Sequence, residues 1–148
     1  MRCGMFHRKF ALAFGCLAAL SINAFAQSAH TPEPGSAERA AIMDAIRKPA
    51  EKELKQTVIF NVDRLRVAGN WAYARVSPTR PDGGKLDYSK TNFQKLIDLG
   101  AFDPQGEALL FKESNGNWSV IEWVFGATDV PSAAWSTTHS AMPKSLLH

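Results

Sequence analysis

Two short reversal signals, each flanked by runs rich in apolar residues, constrain this chain more than any other feature. Gly69-Asn70 stands between Leu65-Arg66-Val67-Ala68 and Trp71-Ala72-Tyr73-Ala74, and Asn115-Gly116 stands between Leu109-Leu110-Phe111-Lys112 and Trp118-Ser119-Val120. Two-residue connections of this kind close antiparallel hairpins, and successive side chains of a strand point to opposite faces. Both halves of the chain are therefore committed to antiparallel sheet, and residue parity decides which side chains share a face.

In the first half, Val58, Phe60 and Val62 alternate with polar positions before Leu65 and Val67 take over in the opposite phase. A slip of one residue sends every side chain to the wrong face unless a bulge absorbs it, so a bulge or bend is expected at Asp63-Arg64. With Gly69-Asn70 as the loop, Val67 pairs with Ala72 and Leu65 with Ala74 on an apolar face. Ala68–Trp71, Arg66–Tyr73 and Arg64–Arg75 pair on the other. With Asn115-Gly116 as a two-residue loop, Lys112–Ser119, Leu110–Ile121 and Ala108–Trp123 share a largely apolar face with Phe125. Glu113–Trp118, Phe111–Val120, Leu109–Glu122 and Glu107–Val124 share the opposite one.

If both hairpins join one sheet, its outer face carries Arg64, Arg66 and Arg75 with Glu107, Glu113 and Glu122, set among Trp71, Tyr73, Phe111 and Trp118. One reading is a solvated face of cross-strand Arg–Glu pairs, each contributing about 0.2–1 kcal/mol. The other is a recognition surface, because Trp, Tyr and Arg dominate binding hot spots. The candidate binding residues are Arg64, Arg66, Trp71, Tyr73, Arg75, Phe111, Trp118 and Glu122.

Helix signals surround these hairpins. Ser36 is an expected N-cap for a helix over 37–48 with Ile42, Met43, Ala45 and Ile46 on one stripe, closed by Pro49. Thr91 and Gln94 form a capping pattern for a short helix over 92–99, with Gly100 at its stop. Asp103-Pro104-Gln105-Gly106 has the residues of a β-turn, strands are expected over 107–113 and 117–125, and a short helix over 132–138. The expected architecture is α+β, an N-terminal helix packed on a curved antiparallel sheet of about four strands. Residues 27–35 read as a flexible tether, 36–138 as the single domain and 139–148 as a loose tail.

The N-terminus adds a location. Arg2, Arg8 and Lys9 precede an uncharged apolar run over 10–22, and Ala24-Phe25-Ala26 supplies a small-x-small end. That order is a secretory signal peptide, cleaved after Ala26, and its run is shorter than the roughly 20 apolar residues a membrane span needs. The chain has 148 residues and a formal charge of +3, from 17 Lys+Arg against 14 Asp+Glu. Removing the three leader cations leaves 14 against 14, so no nucleic-acid partner is expected. Cys3 and Cys16 also leave with the leader, which removes disulfides and thiolate chemistry from a periplasmic or secreted product.

Few residues suggest catalysis. His30, His139 and His148 lie in the tether and tail, where rigid positioning is scarce. No His-Glu-x-x-His, nucleophile-elbow or phosphate-loop pattern occurs, Asp82-Gly83-Gly84 reads as a turn, and Asp98, Asp103 and Asp129 are the remaining carboxylates that folding could bring together. No catalytic residue, metal ligand or cofactor is expected.

Over 108–130, Trp118-x-Val120, Trp123 and Gly126-x-Thr128-Asp129-Val130 resemble the C-terminal half of small secreted bacterial proteins, and the element order over 36–125 resembles the cystatin/NTF2-like class of α+β folds. That resemblance implies a helix cradled by a sheet and a role anywhere from inhibitor to ligand pocket to enzyme. The leading expectation is an exported, non-catalytic binding protein that uses the aromatic and arginine-rich sheet face toward a protein or small-molecule partner in the cell envelope, with no transmembrane segment after cleavage. The alternatives are a cone-shaped pocket for a small apolar ligand or a hydrolytic reaction, lined by Phe60, Leu110, Ile121 and Trp123, and an inhibitor or immunity protein against an envelope-targeting toxin.

Overall fold

A four-stranded antiparallel sheet in the simple order β1-β2-β3-β4 organises the computed structural model, which describes residues 28–148. The expected leader and its cleavage site lie outside the described residues. The elements are α1 (Ala37–Leu54), β1 (Ile59–Ala68), β2 (Trp71–Thr79), α2 (Phe93–Asp98), β3 (Asp103–Lys112), β4 (Trp118–Gly126) and α3 (Trp135–Thr138), with short 3-10 turns at Pro131–Ala134 and Lys144–Leu146. This is an α+β arrangement of one long helix packed on a four-strand antiparallel sheet. Among the described residues, no helix is long and apolar enough to cross a membrane.

The first hairpin has the expected register. Ala68 opposes Trp71, Arg66 opposes Tyr73 and Arg64 opposes Arg75, and the register shifts between Val62 and Arg64, leaving Asp63 as the bulged residue. Gly69 has φ +58°, as the first position of the hairpin turn that suits right-twisted strands requires. At the bulge, the Ser77 hydroxyl donates to Asp63 Oδ2 at 2.8 Å.

The second hairpin departs from its expected register. Its loop has three residues, because Glu113 N–H donates to the Asn117 carbonyl at 2.8 Å and Gly116 takes φ +85°. Lys112 therefore opposes Trp118, Phe111 opposes Ser119 and Leu110 opposes Val120. A second shift leaves Ile121 unpaired and restores Leu109–Glu122 and Ala108–Trp123. The expected faces are exchanged for Trp118, Ser119 and Val120, lost for the unpaired Ile121, and right from Glu122 onward. Trp118 consequently turns to the helix side, 8% exposed in a cluster with Ile42, Met43 and Ile46, and Ile121, expected inside, is 43% exposed.

The helix α1 starts where expected, with Ser36 Oγ accepting from Arg39 N–H at 3.2 Å. It does not stop at Pro49 but continues to Leu54, with Pro49 inside it. A proline in a helix interior costs about 3 kcal/mol through a missing hydrogen bond and a steric clash. The extension offsets that cost by burying Ala50 and Leu54 in a second cluster with Val58, Leu86, Phe93 and Phe125. Arg47 Nε donates to the Val58 carbonyl and Val58 N–H donates to Glu51 Oε1, which tie the helix to the start of β1. The helix expected over 92–99 is trimmed to Phe93–Asp98, and Asp103 to Gly106, read as a turn, instead opens β3 with an irregularity opposite Gly126 and Phe125.

The two ends are not loose. His30 bridges Val67 on the free edge of β1, through paired backbone hydrogen bonds of 2.8 Å. The segment after β4 returns across the outer face of the sheet, where Trp135, Met142 and Leu146 are buried with Ala68, Tyr73 and Leu109. The expected loose tail over 139–148 is thus corrected, since Met142 and Leu146 replace water over a sheet face that carries aromatic side chains. The sheet is covered by α1 on one side and, over part of the other, by this C-terminal segment.

Candidate functional site

The outer face divides into a covered half and an open corner. Alternation places Arg64 and Arg66 of β1, Trp71, Tyr73 and Arg75 of β2, Glu107, Leu109 and Phe111 of β3 and Glu122 of β4 on this face, through the pairs Trp71–Phe111, Tyr73–Leu109, Arg75–Glu107 and Leu109–Glu122. Of the eight candidate binding residues, Trp118 alone is on the opposite face, for the reason of loop length given above.

The aromatic members belong to the covered half. Tyr73 is 4% exposed, edge-on to Trp135 with ring centres 6.2 Å apart. Trp71 is half-buried against Phe111 at 5.1 Å and near the His139 ring at 6.3 Å. These rings are packing, not a free recognition surface. The carboxylates on this face serve the same closure. Glu107, 5% exposed, accepts from the Tyr73 hydroxyl at 2.9 Å and from the Ser132 backbone N–H at 2.8 Å. Burial first, and then the hydrogen bond to this carboxylate, push the Tyr73 phenol up to about 12. Glu122 Oε1 lies 2.9 Å from His139 Nε2. His139, placed by the sequence in a loose tail, is therefore a half-buried contact of the sheet, and no spacing signal in the sequence links it to Glu122.

The expected cross-strand Arg–Glu pairs do not form. Glu107 and Glu122 are engaged by the C-terminal segment, and Glu113 is exposed beside the second loop. Arg64 makes no side-chain hydrogen bond or ion pair among the described residues, Arg75 Nε donates to Gln105 Oε1 at 2.6 Å, and Arg66 Nε is buried with no partner. Asp63, the nearest carboxylate along β1, accepts from Ser77. The open corner of the face therefore presents three guanidinium groups, two of them directly opposite one another, with no carboxylate paired to any among the described residues. Such a corner can attract and orient an anion, since arginine offers fixed donors in a planar fork.

Elsewhere the surface is grooved. One groove of about 530 Å³ runs between α1 and β4 past Pro49, Trp118, Val120, Ile121 and Trp123. Another, of about 480 Å³, is lined by Pro78, Leu86, Tyr88, Ile97, Phe102 and Pro104. The interior pocket considered from the sequence does not assemble. Leu110 is fully buried under α1, Phe60 and Trp123 pack against the core clusters, and Ile121 lies outside. Trp123 is further fixed by its Nε1 donating to Glu53 at 2.8 Å and by the bare backbone of Gly106, where an added Cβ would stand 2.3 Å from the ring. Asp98 accepts from Gln94 within α2. Among the described residues no three His, Cys, Asp or Glu side chains gather as a metal-binding group. Comparison of the chain with protein-family models, with curated proteins and with solved structures finds no match.

Proposed function

We propose that this chain is an exported, non-catalytic binding protein whose contact surface is the arginine corner of the outer sheet face, and whose partner in the cell envelope is anionic there. One observation carries the reading: Arg64, Arg66 and Arg75 occupy adjoining outward positions of β1 and β2 with no carboxylate paired to any of them among the described residues. Like charges directly opposite one another in a sheet destabilise it, so a chain that keeps Arg64 facing Arg75 accepts a cost that a bound anion would remove. The export part rests on the leader pattern over residues 1–26. A place in the cystatin/NTF2-like class is part of the same proposal, supported by the order of one helix followed by an antiparallel meander.

The test is retention on an immobilised polyanion such as heparin over a salt gradient, comparing the protein with the triple variant R64Q/R66Q/R75Q. The reading expects earlier elution of the triple variant with an unchanged far-ultraviolet spectrum. Equal elution of the two proteins overturns it.

A further inference from the structure

We infer that this surface takes a tetrahedral oxyanion, a phosphate or sulfate group, free or esterified, held between the guanidiniums of Arg64, Arg66 and Arg75. The inference rests on the contact surface proposed above and narrows its ligand. The register sets the spacing. Arg64 and Arg75 are direct cross-strand partners, whose Cβ atoms stand about 5 Å apart in an antiparallel pair. Arg66 follows two residues along β1 on the same face, about 6.6 Å from Arg64, and lies diagonal to Arg75 at about 7–8 Å. The three side chains rise from a triangle about as wide as one arginine side chain is long, so their forks can converge on one small group.

The neighbours define the open side. Glu107, opposite Arg75 in β3, faces Tyr73 and Ser132 and closes the site toward the C-terminal segment. Gln105 holds Arg75 by its Nε, leaving the terminal nitrogens of the fork without a protein partner among the described residues. Arg66 Nε is a buried donor without an acceptor, and buried donors in folded proteins are met by an acceptor.

The shape of the acceptor follows. A carboxylate is planar and offers two oxygens along one edge, which matches a single fork. A phosphate or sulfate presents its oxygens in several directions, and the free ions and phosphate monoesters, with about two negative charges, offset more of the Arg64–Arg75 repulsion than a diester does. Three forks rooted at three corners match the tetrahedral group once the terminal nitrogens of Arg75, whose Nε is held by Gln105 of β3, turn toward β1.

Isothermal titration calorimetry of the protein with sodium phosphate, sodium sulfate and sodium acetate at matched ionic strength tests this. Phosphate and sulfate are expected to bind at one site, with acetate at least about tenfold weaker. R64Q and R75Q, made separately, each weaken phosphate about tenfold, as loss of one charge-assisted contact does, and K52Q, on the helix that covers the opposite face of the sheet, leaves it unchanged. Acetate binding as tightly as phosphate, with both lost in R64Q and R75Q, overturns the oxyanion inference and leaves the contact surface standing. No binding of any small anion, while heparin retention still depends on the three arginines, does the same. Phosphate binding that is indifferent to both variants overturns the inference and the contact surface together. Cosedimentation with phosphatidylglycerol vesicles but not phosphatidylcholine vesicles would place the phosphate on a lipid, and saturable phosphate binding without cosedimentation would make it a soluble group.

Discussion

Replacing Glu107 by alanine should loosen the C-terminal segment and destabilise the whole domain. The carboxylate is 5% exposed and accepts from two donors, the Tyr73 hydroxyl and the Ser132 N–H. Its removal strands both in a closed environment, and each unmet buried donor costs about 1–3 kcal/mol, so the two together cost about 2–6 kcal/mol. In a domain of this size each kcal/mol lowers the melting temperature by about 4 °C, which gives a fall on the order of 10–20 °C. Y73F removes one donor and leaves the Ser132 bond, for a cost of about 1.5–3 kcal/mol. The double variant Y73F/E107A should cost less than the sum of the singles, because the pair is lost only once. Thermal melts by circular dichroism give the energies, and hydrogen exchange at the Ser132 amide locates them. An E107A protein that melts with the wild type, with its Ser132 amide equally protected, would refute the claim that this carboxylate closes the segment onto the sheet.

Three other outcomes follow from the same packing. W118A should cost about 3–5 kcal/mol in chemical denaturation, as truncation of a large buried ring does, whereas I121S on the exposed bulge should stay within about 0.5 kcal/mol; the reverse order would restore the two-residue loop. L146A, at a fully buried position over the outer face, should cost about 2–5 kcal/mol and quicken exchange in the C-terminal segment, and an unchanged melt would make that segment dispensable. The chain has two tyrosines, and burial raises Tyr88 as it does Tyr73, which is carried to about 12. Since the folded state favours neutral Tyr73, its contribution is complete below pH 10 and is lost as pH climbs from 10 through 12. Ultraviolet titration should show no phenol ionising at the ordinary value of 10.0 until the protein unfolds, and normal titration of both would contradict this.

How much of this was legible depended on whether local signals accounted for every residue of an element. In the first hairpin they did. The change of apolar phase between Val62 and Leu65 could be absorbed only by a bulge, and Gly69 fixed a two-residue loop, so the register followed down to Arg64–Arg75. In the second, Asn115-Gly116 was compatible with a loop of two or of three residues, because Gly116 at φ +85° serves the longer loop as the left-handed position. The β4 sequence held a corrective signal of the same kind as β1: apolar residues at Trp118 and Val120 change phase to Trp123 and Phe125, and the unpaired Ile121 sits at that change.

The covering of the outer face was not legible. Trp135, Met142 and Leu146 fall at no helical or strand period, and their burial is decided by tertiary docking onto Tyr73 and Leu109. Pro49 was read by its local cost, while its helix continues for the burial of Ala50 and Leu54. Parity placed the three arginines together on the outer face. It could not tell that Glu107, the cross-strand partner of Arg75, would turn to Tyr73 and Ser132, or that Glu122 of β4 would meet His139.

The side-chain Nε–Hε signals of Arg64, Arg66 and Arg75, followed by nuclear magnetic resonance as sodium phosphate is added at constant ionic strength, test the account most directly. It predicts saturating shifts of all three at one common concentration, with the guanidinium signals of Arg39, Arg47 and Arg80 left in place. Shifts spread evenly over all arginines, or confined to those three others, would contradict it.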